Sequence, residues 1–302
     1  MNTGLQSDLQ KRVKRLRKLP SSPAVLEPLL KLLRRPSDQI ELREVVELVS
    51  YDNAIAAQCL RIVNSPLFGR SRVTDSIQAA VLSLGIRRIE VILLSCCLQK
   101  LIPSDKWAAD PAVFWKHSLG CAMVSREFAQ RIEFPDSERA YLAGLLHDLG
   151  ILVNSFAYAE EYPGVFAEAM RIGKPLHEVE KAILGFSHCE SGKILAAAWQ
   201  IPPPVVEVIE WHHDVEHAPE ENPLTALVHL SDLLCRFCGM GYGYEEWQGI
   251  EFAASPAWAV LAKHCPGLAS VDLVRFTLDM ESSVERISEL VETVFSPRMV
   301  PK

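Results

Sequence analysis

The chain has 302 residues, of which 49% are hydrophobic and 23% charged. These values are typical of globular proteins and exclude disordered, collagen-like and low-complexity chains, while the length predicts about two domains. The longest strongly apolar run, residues 91–98, is far shorter than the ~18 residues that cross a bilayer. The polar N-terminus has no apolar signal segment. We therefore expect a cytoplasmic protein without membrane association, whose eight cysteines are reduced.

The net charge of −7 is unevenly distributed, with +7 over residues 1–100 and −14 over the remainder. Six cations fall within residues 11–18. We expect them to lie on an exposed helix face, because burying so many charges without acids alongside is very costly. The alternative is a surface that binds RNA, DNA or an acidic protein. Nucleic-acid binding through the basic N-terminal third is thus a second alternative function, and salt-dependent DNA binding would reveal it.

Helix signals recur along the chain. Residues 42–49 place apolar side chains at the i, i+3, i+4, i+7 spacing of one helix face. Gly85 separates two further predicted helices, over 76–84 and 86–100. No strand alternation and no hairpin-turn signal is found. The predicted fold class is all-α.

Three sections follow from this pattern. Residues 1–105 predict an N-terminal bundle of about five helices. Residues 106–240 predict a domain of longer helices that holds eight of the nine histidines. Residues 241–302 predict an extension of two or three helices. Because no flexible Ser/Gly linker lies near residue 105, we expect the first two sections to share one continuous interface.

Five histidines and two aspartates fall at inward-facing positions of the predicted helices. They are His117, His147, Asp148, His188, His212, His213 and Asp232. One buried histidine is usually a satisfied core residue, but seven inward polar groups would be costly unless they pair or bind a ligand. Imidazoles and carboxylates that converge from several helices bind divalent metals. Oxygen ligands and the absence of converging thiolates favour Fe, Mn or Zn. The remaining histidines His177, His229 and His264 are expected at the surface or in hydrogen bonds.

Several separated motifs resemble the HDOD family, the HD-related output domains of bacterial signalling proteins. The motifs are Leu19-Pro20, Leu48-Val49-Ser50-Tyr51-Asp52, Leu60-Arg61-Ile62-Val63-Asn64-Ser65, Ala80-Val81-Leu82-Ser83-Leu84-Gly85, Phe114-Trp115-Lys116-His117-Ser118 and Gly144-Leu145-Leu146-His147-Asp148-Leu149-Gly150. They occur in family order, and the resemblance covers about residues 15–240. It implies an all-helical fold, the middle section of which is similar to the HD metal-dependent phosphohydrolases, including the HD-GYP cyclic di-GMP phosphodiesterases.

The resemblance also implies roles for the seven polar residues. His117 matches the first histidine of the HD enzymes, His147 and Asp148 match the HD pair, and Asp148 would bridge two metal ions. The other matches are His188 to the next histidine, His212 and His213 to the paired histidines, and Asp232 to the final aspartate. Many HDOD members have lost these ligands, so the set retained here suggests a site for one or two divalent ions.

This sequence departs from the active HD-GYP enzymes at three points. Ile151 replaces the lysine of their HDxGK pattern, which leaves no obvious cation for a substrate phosphate. Val113 stands where some members carry a glutamate ligand. The GYP segment is missing, and residues 241–244 come too late in the chain to match it. These losses put catalysis in doubt more than metal binding.

The principal functional hypothesis is therefore a signal-transduction output module that retains an HD-type metal site. Its partner would be a signalling protein or a nucleotide second messenger, with the input supplied by a separate protein or ligand. The alternative is a metal-dependent phosphohydrolase that acts on a phosphodiester such as a cyclic dinucleotide. The sequence leaves the substrate, the partner and the oligomeric state open.

Overall fold

A computed structural model describes residues 8–13, 23–68, 73–101, 108, 110–218, 222–243 and 252–295. Every regular element within these ranges is a helix, and they contain no strand. The all-α prediction is confirmed. A single cluster of buried apolar side chains runs through all three sections of the chain, so the N-terminal bundle and the middle helices share one core. The boundaries at residues 105 and 240 stay predictions.

The described part of the N-terminal third begins with helical residues 8–13. Its longer helices are α1 (Leu26–Leu32), α2 (Leu42–Ser50), α3 (Asn53–Val63), α4 (Ile77–Leu84) and α5 (Ile86–Leu101). Asp52 caps α3 by accepting the backbone N–H groups of Ala54 and Ile55. The same carboxylate accepts from Lys100 Nζ at 2.9 Å. This ion pair joins the start of α3 to the end of α5.

The middle section supplies the helices that position the candidate site. They are α6 (Pro111–Arg131), α7 (Ser137–Leu146), α8 (Leu149–Ala157), α9 (Tyr162–Ile172), α10 (Leu176–Leu184), α11 (His188–Ala198), α12 (Pro203–Trp211) and α13 (Pro223–Phe237). Three of them begin with proline, whose fixed φ suits the first helical turn and whose missing N–H is not needed there.

The C-terminal section packs against both other sections. Its helices are α14 (Pro256–His264) and α15 (Leu273–Leu290). Phe276 of α15 stacks on Phe128 of α6 with ring centroids 5.5 Å apart. Phe295 lies 4.7 Å from the ring of Trp115, and the neighbouring Val294 carbonyl accepts from Gln99 at 3.1 Å. The predicted two or three C-terminal helices are therefore present and complete the core.

The basic run of residues 11–18 lies only partly within the described residues. Lys11 is exposed. Arg12 is half-buried, pairs with Asp8 at 2.9 Å, and donates a hydrogen bond to the Ala157 carbonyl at 2.8 Å. The other four cations of the run lie outside the described residues. The prediction of an exposed face thus holds for Lys11, while Arg12 contributes to the contact between helical residues 8–13 and α8.

One described segment is long and apolar enough to cross a membrane by length and composition alone. It runs from Ser137 to Ala157, and 89% of its most apolar window is buried inside the fold. The helix is also interrupted between α7 and α8. Burial among other helices is the usual position of such a segment in a protein core. The segment therefore belongs to the interior of this helical fold.

Candidate metal centre

The adjacent His147 and Asp148 lie at the junction of two helices. The leucines at 142, 145, 146 and 149 follow the spacing of one helix face and predict a continuous helix, but α7 ends at Leu146 and α8 begins at Leu149. Asp148 precedes α8 with φ −95° and ψ 19°, and its carboxylate makes none of the capping hydrogen bonds usual at this position. The prediction of a continuous helix is therefore wrong. The break between α7 and α8 directs the Asp148 carboxylate inward, toward a group of histidines.

Four histidines of the predicted set use Nδ1 as a hydrogen-bond donor. The pairs are His117 to the Met240 carbonyl (2.8 Å), His147 to the Gly144 carbonyl (2.7 Å), His212 to the Val208 carbonyl (3.1 Å) and His188 to Glu180 Oε2 (2.6 Å). Carbonyl and carboxylate oxygens accept these bonds, so the ring proton lies on Nδ1. Each Nε2 then presents a lone pair, which is the arrangement found in most metal-binding histidines.

The Nε2 atoms of these histidines face one another. His117 Nε2 lies 3.1 Å from His147 Nε2, and His188 Nε2 lies 3.2 Å from His213 Nε2. At these separations each pair is satisfied either by a proton on one Nε2, which then donates to the other, or by a cation between or beside the two nitrogens. Two nitrogens bound at about 2.0 Å to one tetrahedral ion would be about 3.3 Å apart. The residues present therefore fit a divalent metal ion.

Asp148 lies between two groups of histidines. Its Oδ2 lies 3.3 Å from Nε2 of His117 and of His147. Its Oδ1 lies 3.3 Å from His188 Nε2 and 3.5 Å from His212 Nε2. Each oxygen thus belongs to a different group of ligand atoms, which is the geometry that a carboxylate bridging two cations requires. The bridging role itself stays a prediction.

Asp232 completes the predicted set. Its Oδ1 lies 3.3 Å from His117 Nε2, and its Oδ2 accepts from Arg236 Nη2 at 2.7 Å. Burial disfavours the charged carboxylate, but Arg236 and His117 together hold the pKa of Asp232 well below its usual value. Sequence reasoning found no cation to replace the lysine that Ile151 substitutes, and Arg236 is a cation beside the site. All seven predicted residues therefore lie in one cluster.

Electrostatics divides the histidines into two classes. Burial opposes protonation of His117, His147 and His188, but nearby carboxylates outweigh it and raise the pKa of each ring well above its usual value. Burial lowers the pKa of His212 to about 4, and burial together with neighbouring histidines lowers the pKa of His213 well below its usual value. The carboxylates thus favour positive charge among the Nε2 atoms, which protons or a metal ion can supply.

Glu180 is a functional candidate that sequence reasoning missed. Its side chain is completely buried, and its two oxygens accept hydrogen bonds from Asn154 Nδ2 (3.0 Å), the Tyr162 hydroxyl and both the backbone N–H and Nδ1 of His188 (2.8 and 2.6 Å). Such a carboxylate behind a histidine sets the ring's orientation and increases its basicity as a ligand. A signal was available, because Glu180 follows Leu176 by four residues and so lies on the apolar face of α10.

We expect Glu180→Gln to weaken binding of Mn²⁺ and Zn²⁺ by about 10- to 100-fold. The amide keeps only one acceptor oxygen for four donors, so at least one buried donor loses its partner. Equilibrium titration with each metal measures the affinity, and urea unfolding measures the stability. Glu178→Gln is the matched control, since it removes the same charge from an exposed position on the same helix. Equal affinities for the two variants would contradict a ligand-orienting role for Glu180.

Tyr242 also lies at the site, and the sequence analysis gave it no role. Its hydroxyl donates to Asp148 Oδ2 at 2.9 Å, and its ring centroid is 4.7 Å from that of His117. Tyr242 therefore belongs to the site, although its segment comes too late in the chain to match the GYP segment. The reason is geometric: residues 240–242 follow α13, and the Met240 carbonyl accepts from His117, so the chain passes directly over the histidine cluster.

Cys189 brings a sulfur atom into the same region. One ligand atom each from His188, Cys189, His212 and His213 can be chosen so that all four lie within 4.8 Å of one another. The expectation that no thiolate converges on the site is therefore wrong at this position. Cys189 follows His188 directly at the start of α11, so the two residues lie only about 1.5 Å apart along the helix axis, although they point about 100° apart around it.

The other histidines differ in their surroundings. The His229 Nδ1 donates to the His212 carbonyl at 2.6 Å, as expected of a hydrogen-bonded residue, and His264 is exposed. His177 differs from its prediction. Its ring stacks on His213 with centroids 4.2 Å apart, and its Nδ1 is buried without a hydrogen-bond partner. His177 therefore packs behind a candidate ligand rather than facing solvent.

The family model for the HDOD domain matches residues 19–215. The chain belongs to the HDOD family. A curated relative, an uncharacterized protein of Treponema pallidum (strain Nichols), is 28% identical over 240 residues, which are 77% of this chain and 45% of the relative. The chain therefore spans about half the length of this relative.

Solved structures share the fold. An HDOD domain protein from Geobacter sulfurreducens aligns at TM-score 0.75 and 25% identity, over 94% of this chain and 98% of the other. A protein from Shewanella amazonensis SB2B, named "Putative phosphohydrolase", aligns at 0.69 and 21% identity over 94% and 97%. One from Marinobacter aquaeolei VT8, named "Putative signal transduction protein", aligns at 0.74 and 19% over 96% and 65%. The last two similarities show the fold alone.

Proposed function

We propose that this chain is a signal-transduction output module that retains an HD-type site for two divalent cations and uses it to bind a partner protein or nucleotide. The observation that carries the proposal is the approach of imidazole Nε2 atoms to 3.1 and 3.2 Å of one another beside the Asp148 carboxylate. Buried polar groups without partners are costly, and a bound cation would satisfy several of these nitrogens while offsetting the charge of Asp148.

The enclosure of the site supports regulation rather than turnover. Among the candidate ligands only His213 is more than slightly exposed. Tyr242 lies over the cluster and occupies one oxygen of Asp148 through its hydroxyl. Ile151, where active HD-GYP enzymes carry lysine, is buried in the core. A phosphodiester would have to displace the 240–242 segment to reach the cations.

The phosphohydrolase alternative has one specific observation in its favour. Arg236 carries a positive charge beside Asp232, at the edge of the site where a substrate phosphate would need a cation. A structural neighbour is also named as a phosphohydrolase. In this chain, however, the Arg236 guanidinium donates to Asp232 at 2.7 Å. Its positive charge is therefore paired with a carboxylate of the protein itself.

Nucleic-acid binding through the N-terminal third has little support among the described residues. Of the basic run, Lys11 is exposed and Arg12 is bound to Asp8 and to the Ala157 carbonyl. A DNA-binding measurement over a range of salt concentrations tests this second alternative. The proposal expects no binding with the steep salt dependence of phosphate contacts.

The test combines metal analysis with an assay of hydrolysis. Purified protein is loaded separately with Mn²⁺, Fe²⁺ and Zn²⁺, freed of unbound ions, and analysed for metal per chain. The same samples are assayed with bis(p-nitrophenyl) phosphate and with cyclic dinucleotides. We expect about two ions per chain and no hydrolysis. Hydrolysis that His147→Ala abolishes would establish the phosphohydrolase instead, and absence of any metal uptake would overturn the retained site.

A further inference from the structure

The cluster holds two groups of ligand atoms with different chemistry. His117, His147 and Asp148 offer two nitrogens and one oxygen within 4.8 Å of one another. The second group offers three nitrogens and the sulfur of Cys189 within the same limit. A metal's preference follows the softness of its ligands, and thiolate selects Zn²⁺ and similar ions over Mg²⁺ or Mn²⁺. The two positions are therefore not equivalent.

We propose that Cys189 Sγ is a metal ligand, and that it forms a His₃Cys site for a thiophilic divalent cation with His188, His212 and His213. This inference rests on the proposed function, because it takes for granted that the histidine cluster binds metal. It goes further in assigning a ligand outside the histidine and aspartate set and in giving one of the two positions a distinct metal preference.

The directions of the donor atoms support this assignment. His212 Nε2 is buried and has no hydrogen-bond partner, while its Nδ1 donates to the Val208 carbonyl. His188 Nε2 lies 3.2 Å from His213 Nε2, and the Nδ1 of His188 donates to Glu180. His212 Nε2 therefore has a lone pair to offer, and one ligand atom from each of the four residues lies within 4.8 Å of the others.

The position of Cys189 is consistent with a ligand rather than with packing alone. The residue is buried at the first turn of α11, next to His188 in the chain. With the sulfur included, the protein supplies four ligand atoms without Asp148. Four ligands are the number that fills a tetrahedral zinc site. A site filled by protein ligands has no open position for water. The His₃Cys position would thus hold α11 and α12 together instead of activating a nucleophile.

Cobalt(II) alone is the probe for the test, because thiolate ligation of Co²⁺ produces a near-ultraviolet charge-transfer band that nitrogen and oxygen ligands do not produce. The metal-free full-length chain is titrated with Co²⁺ and the absorption spectrum recorded. We expect the thiolate band in the wild type and its loss in Cys189→Ser, with Zn²⁺ bound at least about tenfold more weakly by the variant. Mn²⁺ affinity is expected to change much less.

Cys235→Ser is the matched control. Cys235 is buried and its Sγ lies 3.7 Å from the His117 carbonyl oxygen, so it is close to the cluster but outside both ligand groups. We expect this variant to keep the band. A band that survives in Cys189→Ser, or that disappears in Cys235→Ser instead, would overturn the sulfur ligand while leaving the metal site intact. Failure of the wild type to take up Co²⁺, Zn²⁺ or Mn²⁺ would overturn the proposed function itself.

Discussion

Asp148→Asn is expected to reduce bound metal from about two ions per chain to about one, and to weaken binding at the remaining His₃Cys position. The carboxylate directs one oxygen at His117 and His147 and the other at His188 and His212, at 3.3 to 3.5 Å. The amide retains one oxygen, carries no charge and would point N–H groups at lone pairs. Removing one partner of a buried charged network costs far more than removing an exposed charge.

Metal per chain after loading with Zn²⁺ or Mn²⁺ and removal of free ions is the decisive measurement for this variant. Asp214→Asn is its control, because Asp214 follows the paired histidines directly but is half-exposed and bonds to His217. We expect the control to bind metal as the wild type does. Full occupancy of both positions in Asp148→Asn would show that this residue bridges nothing.

Asp148→Asn is also expected to change the metal-free protein, by altering the protonation of the histidines around residue 148. There the Asp148 carboxylate, held well below its usual pKa by neighbouring histidines against the effect of burial, is partnered by protonated rings. The amide cannot offset their charge, so the pKa values of His117 and His147 should fall in the variant. Metal binding and protonation thus depend on the same carboxylate, which is why a single substitution alters both.

Much of the fold followed from signals within a few residues of each helix. The bounds of α6, Pro111 and Arg131, follow from such signals, since a proline, an aspartate cap and an apolar face are all local. The predicted helix over 86–100 extends one residue further. Periodicity also identified which polar residues point inward, because that depends only on position relative to neighbouring apolar residues.

Local signals and periodicity could not predict which inward-facing residues contact one another. Tyr242 lies 94 positions from Asp148 in the chain, and its hydrogen bond depends on the path of the segment after α13. Glu180 belongs to a different helix from the histidine it orients. Periodicity shows which face of a helix is buried, but it does not show how two helices cross. The family resemblance identified candidate metal ligands, but it did not identify the residues that hydrogen-bond to them. The histidine set was therefore predicted, while the residues that orient and cover it were not.

The close approach of α8 and α11, which brings Asp148 to His188, is expected to fail in Gly150→Ala. A Cβ at Gly150 would lie 1.7 Å from the His188 carbonyl oxygen, so backbone must move. We expect the free energy of unfolding, measured in urea, to fall by about 3 kcal/mol or more, with weaker Zn²⁺ binding by any folded protein. Gly164→Ala, where a Cβ meets nothing within 4 Å in α9, should be neutral or stabilising by up to about 1 kcal/mol. Equal stability of the two variants would mean that the contact between α8 and α11 is not the constraint that aligns the site.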